Sequence, residues 1–223
     1  MKRFTIPAFI LFVAACSQVS ADLAPRPSFK NFVTMKEADV KILLKQTDDG
    51  ILATVDAEFD MYTDKSIKNA VRKTPVSFPV APRYQGADVR SFSVSVDGVD
   101  QDVSPYGPRD HQGKVRLIKG YQWDCPFKVG ETTKVKVSYT MVLPDAKGNQ
   151  KLLFYSLTSG SEWAGKIALE TVTITADKQL SMSPKASKLN HQKTQAGTLL
   201  YTVRKSDPQE DILVYVAKAD DNV

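Results

Sequence analysis

Cysteine is nearly missing from this 223-residue chain: there are only Cys16 and Cys125. Cys16 lies in an N-terminal segment that export would remove or modify, so Cys125 stands alone in the folded part. An intrachain disulfide is thereby excluded, and stability has to come from burial and hydrogen bonding. Within Trp123-Asp124-Cys125-Pro126-Phe127 the thiol has apolar neighbours and no adjoining cation. A buried small hydrophobe fits that setting better than a reactive nucleophile.

Histidine is equally scarce. His111 and His191 lie eighty residues apart, whereas a zinc site needs three or four ligands with at least one closely spaced pair. No Cys-x-x-Cys, glycine-rich phosphate loop, Gly-x-Ser-x-Gly elbow or Asp-x-Asp-x-Asp-Gly calcium loop occurs. We therefore expect no metal and no cofactor. Runs of five or more like charges are also missing. The excess of 30 Lys and Arg over 25 Asp and Glu is spread along the chain, so a nucleic-acid partner is not expected. No segment of twelve or more residues carries a helical period, and no apolar run reaches the roughly 20 residues that a membrane helix needs.

What is present begins with an export signal. Lys2 and Arg3 form a positive n-region, and Phe4 to Ala15 an apolar stretch broken only by Thr5 and Pro7. Two processing points compete. Val19-Ser20-Ala21 has the small-x-small form and makes residues 1–21 a signal peptide cut after Ala21. Val13-Ala14-Ala15-Cys16 resembles a bacterial lipobox, which makes residues 1–15 a lipoprotein signal and Cys16 the lipidated first residue. Residues 22–36 are then a linker. Several acyl chains on Cys16 would hold the domain firmly at the membrane. An exported location, periplasmic or extracellular, follows in either case, with membrane contact only through such an anchor. Losing residues 1–21 removes Lys2 and Arg3 and no acid, which takes the formal charge of +5 down to +3 over 202 residues.

The remainder alternates with period two, the mark of half-buried strands. Ile51, Ala53, Val55, Ala57, Phe59 and Met61 share one face, and Thr54, Asp56, Glu58 and Asp60 the other. The pattern recurs at Phe92–Val96, Val135–Met141 and Leu199–Val203. Shorter candidates are 40–44, 76–80, 115–118, 152–157, 167–175 and 212–216. Between Ile167 and Ile174 the apolar parity switches, which predicts a β-bulge near Leu169-Glu170. Asp48-Asp49-Gly50, Asp97-Gly98 and Asp145-Ala146-Lys147-Gly148-Asn149 supply hairpin turns. Residues 101–113 read as a loop, and 178–195 as a long loop or a poorly formed element. The fold expected is all-β, an antiparallel β-sandwich of roughly ten strands, immunoglobulin-like or jelly-roll-like, occupying 37–220 as one domain or two sub-domains.

The order Val76-Ser77-Phe78-Pro79-Val80, Phe92 to Gly98, Val135-Lys136-Val137-Ser138-Tyr139 and Phe154 to Gly160 followed by Trp163-Ala164-Gly165-Lys166-Ile167 resembles a group of exported bacterial β-sandwich proteins without assigned chemistry. It covers about residues 75 to 175. The resemblance implies fold and export, and no activity. Trp163, between Gly160 and Gly165, reads as a ring pressed onto the sheet face; an exposed platform for sugar stacking is the alternative.

Three functions follow as expectations. The first is a non-enzymatic exported module that binds an envelope protein or a surface polysaccharide. The second is a secreted hydrolase using carboxylates, with Asp56, Glu58 and Asp110 as candidates; steps of two residues place Asp56, Glu58 and Asp60 about 7 Å apart on one face of the long strand. The third is a carbohydrate-binding module stacking sugars on Tyr106, Tyr121 and Trp123, which fall in or near predicted loops.

Overall fold

In the computed structural model of the protein, the described residues are 26–27, 32–65, 73–80, 88–116, 118–157, 163–185, 189–195, 197–206 and 210–219. Among them there are fifteen strands and no helical element. The antiparallel sandwich expected from the alternation is the architecture. Cys16 and Ala21 lie outside the described residues.

The frame is an eight-stranded sheet. At its centre are β2 (Val33–Thr47), β3 (Gly50–Thr63) and β9 (Thr132–Val142). On one side follow β5 (Asp88–Val96) and the two-residue β6 (Val99–Asp100), and on the other β11 (Ile167–Ala176), β14 (Thr198–Ser206) and β13 (His191–Gln195). Every pairing is antiparallel except β2 with β11, which run parallel with Val40 opposite Val172. Two smaller sheets complete the chain. One has the order β1 (Arg26–Pro27), β4 (Lys73–Pro79), β8 (Gly120–Pro126) and β7 (Ser104–Tyr106); the other has β10 (Lys151–Tyr155), β15 (Ile212–Lys218) and β12 (Leu180–Pro184).

Both small sheets lie on the same, apolar face of the large one. Phe78 of β4 meets Tyr139 of β9 edge-on at 5.6 Å and Phe92 of β5 at 5.5 Å. Tyr155 of β10 reaches Glu170 of β11. The alternation dictates this arrangement. Ile51, Ala53, Val55, Ala57, Phe59 and Met61 are all buried, as are Val135, Val137, Tyr139 and Met141 across the ladder, and burying a large apolar side chain contributes about 1.5–3 kcal/mol. Trp163 also belongs to the core. It packs edge-on against Phe127 at 5.9 Å, and Gly165, with φ near +75°, supplies the left-handed residue that redirects the chain after the ring.

Several sequence expectations are corrected. No bulge interrupts β11, whose registers with β2 and β14 are unbroken from Leu169 onward. The inward position at the parity switch is taken by a polar residue, Glu170. A bulge does lie one strand away, where Lys36 of β2 is inserted between Met35↔Met61 and Glu37↔Asp60. Among the described residues of 115–118 there is no strand: Val115 makes an isolated bridge to Arg109 and the Arg116 N–H bonds the Pro108 carbonyl; the strand of this region is β8. Residues 178–195 include β12 and β13, and residues 22–36 include β1 and the first residues of β2, so strand structure begins inside the segment assigned to a linker.

Candidate functional site

The three aromatic residues proposed to stack sugars do not form one strip. Tyr106 sits opposite Gly120 in the β7–β8 register, and Pro105 sits opposite Tyr121. Since side chains alternate along a strand, Tyr106 and Tyr121 project to opposite faces. Tyr106 covers Gly120 so closely that a Cβ there would come within 2.5 Å of its hydroxyl and of the Phe78 carbonyl oxygen. Tyr121 is half-buried and lies flat on Phe92, with ring centroids 4.1 Å apart and planes 6° from parallel. That burial raises its phenol above the ordinary range. Trp123 is 4% exposed and offers no face to a sugar ring. Rather than falling in or near a loop, it lies within β8, and Trp123, Cys125 and Phe127 alternate into the core. Cys125 is fully buried, and desolvation pushes its thiol up to about 12.

The carboxylates occupy the outer face of the large sheet and are already engaged. Glu58 pairs with Lys134 and, at 2.9 Å, with Lys136, both on β9. Hydrogen bonds from these two lysines hold Glu58 below the usual carboxylate range. Asp56 accepts the Ser138 hydroxyl at 2.6 Å, and Asp60 lies 3.8 Å from Lys134. Asp110 is part of a local turn, its Oδ1 accepting the backbone N–H groups of Gln112 and Lys114 at 2.9 Å each. Among the described residues the carboxylate with a raised pKa is Glu170, at about 8 through desolvation, but it is 2% exposed between the sheets. Among the described residues, no group of three or more His, Cys, Asp or Glu is arranged to hold a metal ion.

Around those ion pairs the outer face is rich in hydroxyls, with Leu43 set among them. Thr198, Thr175, Leu43, Thr54, Thr140 and Ser91 stand side by side across six strands. Thr140 and Ser91 share a 2.8 Å hydrogen bond. At a strand spacing of about 4.8 Å, the row is roughly 24 Å long. Thr171 and Thr173 extend the hydroxyl-rich area toward the Asp39 and Lys41 ion pair.

At one end of the sandwich, the β2–β3 hairpin, the link from β9 to β10 and the end of β15 surround an open polar basin of about 640 Å³. The hairpin turns through Asp48 and Asp49, with the Thr47 hydroxyl and the Gln46 amide both donating to the Gly50 carbonyl. The second wall is closed by a backbone bond from Ala146 N–H to Gln150 C=O at 2.9 Å and by the pairing of Asp145 with Lys151. Asp49 is taken by Arg90 at 2.9 Å. Asp48 and Lys218, which also line the basin, have no hydrogen-bond or ion-pair partner for their side chains among the described residues. Turn chemistry flagged these loops in the sequence, but nothing local showed that Lys218, seventy residues beyond Gly148, joins them.

Solved structures resemble the fold. A candidate nutrient-binding protein from Legionella pneumophila superposes with a TM-score of 0.67 at 15% identity, over 87% of this chain and 70% of that one. The shared feature is an all-β sandwich fold. An M1 zinc metallopeptidase from Deinococcus radiodurans superposes at a TM-score of 0.46 and 9% identity, and the chain spans 44% of its length. No protein-family model and no curated protein sequence matches the chain.

Proposed function

We propose that the chain is a non-enzymatic binding module, exported to the cell envelope, that attaches to an envelope protein or a surface polymer through the exposed parts of its sandwich. One observation carries this. Among the described residues the large sheet is covered on one face, and its other face presents a roughly 24 Å row of mainly hydroxyl side chains beside paired charges. Such a surface satisfies hydroxyl-rich or amide-rich partners over an area, whereas a small reacting group needs enclosure. The description of the Legionella neighbour as a candidate nutrient-binding protein is in keeping with binding as the activity.

A carboxylate hydrolase is disfavoured by the same face. A glycosidase needs one carboxyl with a raised pKa to act as acid, and Glu58 is held in the opposite direction by two lysines. Asp56 and Asp110 are committed to Ser138 and to a turn. The test is a panel of glycosides and peptides offered to the purified protein and to Asp56→Ala, Glu58→Ala and Asp110→Ala. Binding without turnover is expected; turnover abolished by any of the three substitutions would overturn the proposal.

Export and the choice between Cys16 and Ala21 belong to the same proposal. The mass of the mature N-terminus distinguishes a chain starting at Asp22 from one starting at an acylated Cys16. An intact Met1 in the envelope fraction would contradict both.

A further inference from the structure

From the charges left over in the end basin, we infer a second binding site, one for a small zwitterionic solute carrying both an ammonium and a carboxylate group, such as a free amino acid or a short peptide. The inference rests on the binding-module proposal and specifies a ligand class for a part of the surface separate from the hydroxyl-rich face.

The charges lining the basin divide into two sets. Asp145 and Lys151 neutralise one another, and Asp49 is held by Arg90. Asp48 and Lys218 are left over. They have opposite signs, come from different elements and border the same cavity without pairing. A lone anion or cation would meet one attractive and one repulsive partner there. A zwitterion satisfies both, with its ammonium on Asp48 and its carboxylate on Lys218. The volume, about 640 Å³, falls within the roughly 300–1,000 Å³ of small-ligand sites. The frame is fixed by backbone bonds: Ala146 N–H to Gln150 C=O, Leu152 N–H to Pro144 C=O at 3.0 Å, and Leu143 N–H to Ile51 C=O at 2.9 Å. Gly148 lines the wall with open space where a Cβ would be, so the ligand side chain has room on that side. Both charged groups are exposed, so a Kd on the order of 0.1–1 mM is expected for a ligand of about ten heavy atoms.

Calorimetric titration of the full chain with free amino acids, and with the same compounds N-acetylated or C-amidated, tests this. Saturable binding is expected for the zwitterions, with singly charged derivatives about fivefold weaker, the size of an exposed ion pair. Asp48→Asn should erase the preference over the N-acetyl derivative alone, and Lys218→Gln the preference over the amide alone. Binding that both substitutions leave unchanged, or no saturable binding by any free amino acid or dipeptide, would overturn the inference. If the protein still sediments with envelope material in that case, the basin assignment fails and the module proposal stands. If both are lost, the module proposal fails as well.

Discussion

The Tyr155 hydroxyl donates a 3.1 Å hydrogen bond to Glu170 in the middle of the core, joining β10 of a small sheet to β11 of the large one. Tyr139 lies close enough to interact electrostatically with Tyr155, and its own hydroxyl is buried without a hydrogen-bond partner. A carboxylic acid and two phenols thus meet inside the apolar core.

Stability should therefore fall as pH rises from about 4.5 to about 8. Burial raises Glu170 from 4.5 to about 8. In the unfolded chain this group loses its proton near 4.5, while the folded chain keeps it until about 8. The unfolded state binds fewer protons across that window, so the stabilisation is complete below 4.5 and is lost as pH rises through 8. The gap corresponds to roughly 5 kcal/mol. Denaturant titrations from pH 4.5 to 9 should show this slope in the native sequence, and Glu170→Gln should flatten it.

Tyr139→Phe and Tyr155→Phe should have opposite effects although they remove the same atom. The Tyr139 hydroxyl has no partner, so its loss should stabilise by up to about 1 kcal/mol. The Tyr155 hydroxyl is the donor to Glu170, so its loss should destabilise by about 1–3 kcal/mol. Urea midpoints for the two variants check the signs.

Cys125 should be inert to thiol reagents in the native protein. Its thiol is fully buried and pushed up to about 12, so little reactive thiolate is present at pH 8. Labelling with an aromatic disulfide should be negligible until denaturant is added, and should then reach one thiol per chain in protein lacking residues 1–21. Rapid native labelling would contradict the burial.

Truncating Trp163 to Ala should cost about 3–5 kcal/mol. The ring is 4% exposed and packs on Phe127, so removing it leaves a large cavity. Thermal unfolding measures the loss; a change below 1 kcal/mol would mean that the ring is not a core element.

The central strands were legible because each spends its apolar residues on a single face. Ile51 to Met61 and Val135 to Met141 alternate without interruption, and the Asp97-Gly98 turn follows directly from its residues, with φ near +49° and +81°. What escaped the sequence is long-range. The parallel pairing of β2 with β11 joins residues about 130 positions apart, and no local pattern encodes it. Strand β8 was hidden by Gly120 and Pro126 at its ends, and β12 and β13 by the serines and lysines that edge strands tolerate. Glu170 confused the parity count because a buried acid looks, in sequence, like an outward-facing residue. The engaged state of Asp56 and Glu58 depends on Ser138, Lys134 and Lys136, about eighty residues away. Alternation could place those carboxylates on a wet face but could not show what neutralises them.

Cosedimentation of the purified protein with isolated envelope material, with soluble fragments assayed in the same tubes, tests the central claim most directly. Attachment without chemistry predicts saturable sedimentation of the protein and no release of fragments with time. Fragments that accumulate with the native sequence and cease with Asp56→Ala or Glu58→Ala would contradict it.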